Sequence, residues 1–297
     1  MNIKDKIYFE NYIFENINVR EKLLEFLKED IPLGVDYSSF FLDKNIKAVI
    51  LLKEPSFLCG LPFIKVLFEE ILNVKVKSLY KEGSYIEKVP ANVIILEGKA
   101  SKILKGERLA LNILQRLSGI ANLTRKFVEK IRKVSKKTYL LDTRKTTPGF
   151  RLLEKYASLV GGAKNHRLSL SDGVMIKDNH IKIFGSVSKA IKEIKKHIPI
   201  TLKLEVEVEN KAQIDEIIEN NLQDEVDILM LDNFSVEKLK EIIPYVKKHF
   251  PKTYIEVSGG VNLDTIEEIA KLEPDFISTS KTILQAKAVD YSLEILD

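Results

Sequence analysis

Cysteine is nearly missing from this 297-residue chain: Cys59 stands alone. No intrachain disulfide can form, and no cysteine-based metal site can assemble within one chain. A reducing cytoplasm fits that usage. An apolar leader is missing as well. The first residues, MNIKDKIYFENYIFENI, scatter charges through the segment and lack an apolar core, which excludes a secretory signal or a transmembrane span there and leaves no expected membrane partner. Neither sign of charge dominates. The 47 Lys plus Arg residues against 43 Asp plus Glu leave only +4, a small difference between two interspersed populations, so no nucleic acid is expected. There is no P-loop lysine motif, no GxGxxG after a strand and no Ser-His-Asp order, which removes the usual signals for nucleotide hydrolysis, dinucleotide binding and serine-type acyl transfer. No low-complexity linker divides the chain.

What is present is a core of ordinary size, with 45% hydrophobic residues, and one dense basic cluster. Between Asp142 and His180 the sequence DTRKTTPGFRLLEKYASLVGGAKNHRLSLSDGVMIKDNH carries Arg144, Lys145, Lys164, His166, Arg167 and Lys177 beside turn-forming or strand-ending residues. A scaffold places ligand-binding side chains at such positions. Arg supplies a planar fork for carboxylate or phosphate and Lys a mobile point charge, so the mixture suits a multiply charged anion. Lysine runs such as Lys192 to Lys196 read instead as helix exteriors.

From about residue 138 onward, apolar β-branched runs alternate with amphipathic helical patterns. The runs are 138–143, 173–178, 200–208, 226–232, 253–259 and 274–280; the helical patterns lie near 150–160, 186–197, 211–221, 235–249 and 263–272. This predicts an α/β region with parallel strands and right-handed crossovers, either a TIM-like barrel or an open doubly wound sheet. The barrel is favoured because reagent-like residues recur at strand ends: Arg144 and Lys145, Lys177, Glu207, Asp232, then Ser258-Gly259-Gly260. In a parallel barrel those ends share one rim. Before residue 115 the texture is α+β, with a helix near Arg20 to Glu29, strands in KAVILLKE, VKSLYKEG and NVIILEGKA, and a helix in LPFIKVLFEEIL. A long helical stretch from Ile103 to Val134 joins the two parts, with Gly106 and Gly119 as candidate breaks.

Glu207 and Asp232 form the acidic counterpart to the cluster. Carboxylates beside an anion suit Mg²⁺ on a polyphosphate, sugar hydroxyls, or a cationic transition state, all of which point to a phosphorylated sugar. The Ser258-Gly259-Gly260 turn, ahead of a helix expected near Leu263, offers backbone N–H groups as a phosphate cradle.

Long ordered blocks, GERLALNILQRLSGIANLTRKFV, LDTRKTTPGFRLLEKYA, GGAKNHRLSLSDGVMIKDNH, LEVEVEN, MLDN and SGGVNLDTI, carry a resemblance: the chain resembles the quinolinate phosphoribosyltransferases. The resemblance implies an N-terminal α/β sandwich (1–115), an incomplete TIM-like α/β barrel (116–280), and a tail (281–297) packing back on the first domain. It further implies a cytoplasmic enzyme that joins quinolinate to phosphoribosyl pyrophosphate with Mg²⁺, releasing pyrophosphate and CO₂ and giving nicotinate mononucleotide for NAD biosynthesis, in a homodimer or larger homo-oligomer with shared sites. Arg144, His166, Arg167 and Lys177 are then expected around the quinolinate carboxylates with catalytic Lys145 beside them, and Arg108 reaching in from the neighbouring subunit. Glu207 and Asp232 match the family's acidic pair near ribose and metal, and Ser258, Gly259 and Gly260 its phosphate loop. Two segments depart from the family pattern. Where many members have Gly-x-Leu-Thr-His-Ser, this chain has Ser280-Lys281-Thr282-Ile283-Leu284-Gln285, and Lys281 with the Ser280 N–H is expected to replace the histidine. Near the N-terminus, EDIPLGVDYSS shifts the position of Asp36. A molybdenum-transport-associated paralogue acting on another heterocycle, and a non-catalytic binder on the same fold, are the rival readings; the intact LDTRKTTPG and IKDNH blocks weigh against the first, and the retained Glu207 and Asp232 against the second.

Overall fold

The structure is a computed structural model that describes residues 19–296. The N-terminal segment read above for a signal or a span lies outside the described residues. In chain order the elements begin with helix α1 (Val19–Asp30), strands β1 (Asn45–Leu52) and β2 (Ser56–Phe57), and helix α2 (Leu61–Lys65), which continues as a π-helical turn (Val66–Ile71). Strands β3 (Lys75–Ser78), β4 (Tyr85–Ile86) and β5 (Ala91–Lys99) lead to the long helix α3 (Ala100–Val134). After it come β6 (Tyr139–Leu141), α4 (Arg151–Val160), β7 (Val174–Ile176), α5 (Asp178–Phe184), α6 (Val187–Lys195), β8 (Leu204–Val208) and α7 (Lys211–Glu219). The chain ends with β9 (Ile228–Asp232), α8 (Val236–His249), β10 (Tyr254–Ser258), α9 (Ile266–Ala270), β11 (Phe276–Ser278), α10 (Lys281–Leu284) and β12 (Tyr291–Leu296).

These elements form two compact units. The first takes the described residues up to Thr124 together with Thr147–Gly162 and those from Gln285 onward; the second takes Arg125–Thr146 and Ala163–Leu284. The division therefore falls after Thr124 rather than at 115, and helix α4, expected in the barrel, belongs to the first unit. The reason lies in its side chains. Tyr156 packs edge-on against Phe63 at 5.2 Å and its hydroxyl donates to Glu82 at 2.9 Å, while Glu154, fully buried, pairs with Arg116 at 2.8 Å. A buried carboxylate needs such a partner close by.

The first unit is built on an antiparallel sheet of order β12-β1-β5-β3 with helices, an α/β sandwich. The tail divides: Lys281–Leu284 forms α10 in the second unit, while Tyr291–Leu296 adds an edge strand to β1. Helix α3 runs unbroken through both glycines expected to punctuate it. A Cβ on Gly106 would come within 2.6 Å of Leu72, and one on Gly119 within 1.9 Å of the Lys287 carbonyl oxygen. Glycine serves close backbone approach at these points rather than a break.

The second unit is an all-parallel sheet of order β6-β11-β10-β9-β8-β7, an incomplete α/β barrel. Each expected strand is present but shorter than its run, β8 keeping only Leu204–Val208 of 200–208. Strand β8, Leu-Glu-Val-Glu-Val, is buried at every position although two of its residues are glutamates. Because successive side chains alternate between faces, Glu205 and Glu207 share one face and the apolar Leu204, Val206 and Val208 share the other.

Candidate active site

The strand-end residues of the second unit surround a cavity of about 390 Å³. Its lining includes five basic residues, Arg144, Lys145, His166, Arg167 and Lys177, and three acidic ones, Glu207, Asp232 and Glu256, together with Met175, Met230, Thr143, Ser258 and Ser278. Eight of the residues expected from sequence thus share one wall system. Ser258 lines the cavity while Gly259, Gly260, Ser280 and Lys281 are not part of its lining. Arg108 lies on α3 in the first unit and is exposed.

Local structure fixes the basic side in two steps. Asp142, almost fully buried at the end of β6, accepts from the His166 N–H at 2.9 Å and from the Asn165 side-chain amide, so the 163–167 segment is tied to the strand end. The tie is extended by a one-residue parallel bridge between Leu141 and Lys164. Arg167 then donates through Nη1 to the Gly173 carbonyl at 2.8 Å. Burial, and next the Arg144 charge, hold the Arg167 pKa below its usual value. Two guanidinium groups set close enough to repel, with the Arg144 Nε buried and unpartnered, describe a subsite organised for a dianion.

On the acidic side the parallel register sets Ser258 beside Asp232 and Glu207 beside Met230. Lys177 Nζ donates to Glu207 Oε2 at 3.0 Å, coupling the basic and acidic sides. Burial, and then the Glu207 charge, raise the Asp232 carboxyl above its ordinary value. Two hard oxygen donors that repel one another fit a Mg²⁺ ion shared with a polyphosphate.

The glycine turn differs from the expected helix-tip cradle. Helix α9 starts at Ile266 and spans only five residues; Asn262 intervenes, its Oδ1 accepting from the Asp264 and Thr265 N–H groups. Gly259 and Gly260 both have positive φ, and a Cβ on Gly259 would lie 2.4 Å from Asn233 Oδ1. Glycine is required there by conformation and by the close passage of Asn233, whose N–H donates to the Ser258 carbonyl at 3.1 Å. At the other departure from the family pattern, Lys281 opens α10, its N–H donating to Thr279 Oγ1 at 3.2 Å. Asp36 accepts from the Ser38 N–H at 3.0 Å and from the Ser38 and Ser39 hydroxyls, which makes it a local turn-former.

Sequence reading passed over Glu205 and Glu256. Both are buried beside His166: its Nε2 lies 2.9 Å from Glu205 Oε2 and 3.5 Å from Glu256 Oε2, while Nδ1 accepts the Arg167 N–H at 2.8 Å. Burial, and then the Glu256 charge, push the Glu205 carboxyl up to about 7. The signal was available in LEVEV and YIEVS, where glutamate alternates with valine or isoleucine inside an apolar strand.

The C-terminal domain model described as "Quinolinate phosphoribosyl transferase, C-terminal domain" matches residues 120–294, and the corresponding N-terminal domain model matches residues 36–118. A Methanocaldococcus jannaschii protein described as a probable nicotinate-nucleotide pyrophosphorylase (carboxylating) is 40% identical over 286 residues, covering 94% of this chain and 97% of its own. The human nicotinate-nucleotide pyrophosphorylase (carboxylating) is 38% identical over 270 residues, covering 91% of this chain and 89% of its own. Among solved structures, the nicotinate-nucleotide pyrophosphorylase of Francisella tularensis superposes with a TM-score of 0.83 at 36% identity, covering 94% of this chain and 96% of that one.

Proposed function

The chain belongs to the quinolinate phosphoribosyltransferase family, and from that premise we propose that it joins quinolinate to phosphoribosyl pyrophosphate, releasing pyrophosphate and CO₂ and forming nicotinate mononucleotide in de novo NAD synthesis. The observation that carries the reading is the pairing, in one cavity, of a repelling Arg144 and Arg167 with an opposed Glu207 and Asp232. The two arginines, with Lys177 beside them, hold the pyridine dicarboxylate and aim its ring nitrogen at the anomeric carbon of the ribose, while His166, lining the same cavity, accepts from the Arg167 amide instead of binding the substrate. As the pyrophosphate bond breaks, positive charge develops at that carbon, and the carboxylates of Glu207 and Asp232 stabilise it. Lys145, exposed at the cavity mouth, meets the phosphates of the donor.

The second step needs no decarboxylation cofactor, only a proton from solvent. Once the pyridine nitrogen carries ribose it is cationic, so the bond to the adjacent carboxylate breaks with its electron pair left on the ring carbon beside N⁺. CO₂ departs and that carbon takes up a proton. Glu207 and Asp232 would hold Mg²⁺ together with pyrophosphate oxygens, and the ion, when bound, neutralises the leaving group. Ser258 and the Gly259-Gly260 turn contribute N–H groups to the sugar phosphate. The working unit is a homodimer in which Arg108 enters the neighbour's cavity. Among the described residues no helix is long and apolar enough to cross a membrane, and the buried Cys59, which forms no disulfide, suits a reducing cytoplasm.

The test is direct: purified protein incubated with quinolinate, phosphoribosyl pyrophosphate and Mg²⁺ should form nicotinate mononucleotide, and omission of either substrate should abolish it. Absence of product from folded protein overturns the reading.

A further inference from the structure

Beside the substrate cavity lies a second cavity of about 390 Å³, and His166, Arg167 and Glu256 border both. Glu205 lines only the second one. The second cavity is therefore bordered by two buried carboxylates, Glu205 and Glu256, and shares Arg167 with the substrate cavity. Three ligand-type groups, His166, Glu205 and Glu256, have atoms within 4.8 Å of one another, a grouping that could suit a metal ion. The hydrogen bonding rules against that use. Nδ1 accepts the Arg167 N–H at 2.8 Å, so the imidazole proton sits on Nε2, and Nε2 faces the carboxylates as a donor rather than a ligand.

The same geometry makes a chain of positioning contacts. Glu205 accepts from the Nε2–H of the ring at 2.9 Å, and Glu256 lies 3.5 Å from the same atom as a charge neighbour without a hydrogen bond; the opposite ring nitrogen accepts from the Arg167 amide; and the Arg167 guanidinium is steadied at its other end by the Gly173 carbonyl. Both ring nitrogens of His166 are thereby used within the fold. We infer that Glu205 and Glu256 are positioning residues for binding of the substrate dicarboxylate, acting through His166 on the backbone of Arg167. When ionised, Glu205 also attracts the Arg167 guanidinium and offsets part of its repulsion with Arg144. The inference rests on the assignment of Arg167 to quinolinate made above.

Steady-state kinetics of the full chain separate this role from a merely structural one. Glu205→Ala should raise the KM for quinolinate about tenfold, the loss of one buried hydrogen bond to a charged group, while leaving the KM for phosphoribosyl pyrophosphate within about twofold. Glu205→Gln, which can still accept from Nε2, should restore most of the affinity. In a His166→Asn background the asparagine Oδ1 can accept the Arg167 amide without the carboxylates, so Glu205→Ala should add nothing further. Equal rises in both KM values, or a Glu205→Ala effect that persists undiminished beside His166→Asn, overturns the inference. Should Glu205→Ala fail to fold by circular dichroism, Glu205→Met, which fills the space but accepts no hydrogen bond from Nε2, carries the same test. A wild-type protein that makes no product overturns the parent assignment, whereas an active wild type with unaffected Glu205 and Glu256 variants overturns only this inference.

Discussion

Lys177 and Glu207, which come from the ends of two adjacent parallel strands and stand thirty residues apart in sequence, meet at 3.0 Å in the lining of the cavity. The pair joins the cationic half of the site to the anionic half. Its exposure is uneven, with the Lys177 side chain 44% exposed and that of Glu207 10%, so the carboxylate is the member held out of water. Replacing Glu207 by Gln leaves the shape and removes the charge that we propose stabilises the developing ribosyl cation. We expect kcat to fall about 100-fold, as for loss of one group aimed at transition-state charge, with a much smaller change in the KM for quinolinate. A fall confined to the KM for quinolinate would remove Glu207 from ribose chemistry and leave it as a partner of Lys177.

Arg144 presents a different signature. Its Nε is buried without a partner and its charge bears on Arg167. Arg144→Ala should weaken quinolinate binding by about 2–5 kcal/mol, the range for truncating one partner of a buried charge pair. Titration calorimetry would measure it. Unchanged affinity, or equal turnover by the wild type of nicotinate, which lacks the second carboxylate, would remove the dianion assignment.

Arg108 is exposed on α3 of the first unit, whereas the cavity is lined entirely by the second. If it completes the site of a neighbouring subunit, inactive Arg108→Ala and inactive Lys145→Ala chains should regain activity when co-folded into mixed dimers, since one of the two sites is then intact. Verified heterodimers without recovered activity would assign Arg108 to its own subunit.

Lys281 tests the segment that lacks the family's histidine. It lies just beyond β11 but outside the cavity lining. If it serves the donor's terminal phosphate as a point charge, Lys281→Ala should raise the KM for phosphoribosyl pyrophosphate about tenfold and leave that for quinolinate unchanged, because only the former carries the phosphate. Equal or negligible changes would leave the phosphate to the backbone of the Ser258 to Gly260 turn.

Much of the second unit was legible because its signals are local. Runs such as VDILMLD and TYIEVSG alternate with amphipathic stretches, and the helices between them follow from residues a few positions apart. Strand ends read the same way, so the sequence itself groups Arg144, Lys145, Lys177, Glu207, Asp232 and Ser258. Three features resisted. Strand β12 pairs with β1 across more than two hundred residues. Helix α4 carries ordinary helical spacing, and only the partners of Glu154 and Tyr156 assign it to the first unit. Gly106 and Gly119 looked like helix breaks because a sequence shows the missing side chain but not the neighbour that needs the space.

The sequence by itself determined the strand and helix order, the basic cluster and the family, since these depend on hydrophobic period, side-chain chemistry and ordered motifs along the chain. Tertiary structure alone decided which carboxylates lie beside His166, which hydrogen-bond acceptor holds the Arg167 amide, and which unit each segment joins. Those outcomes depend on distances of a few ångströms between residues far apart in the chain: Glu205 and Glu256 matter because folding buries them against His166, and burial is what makes an unmatched charge costly enough to organise the groups around it.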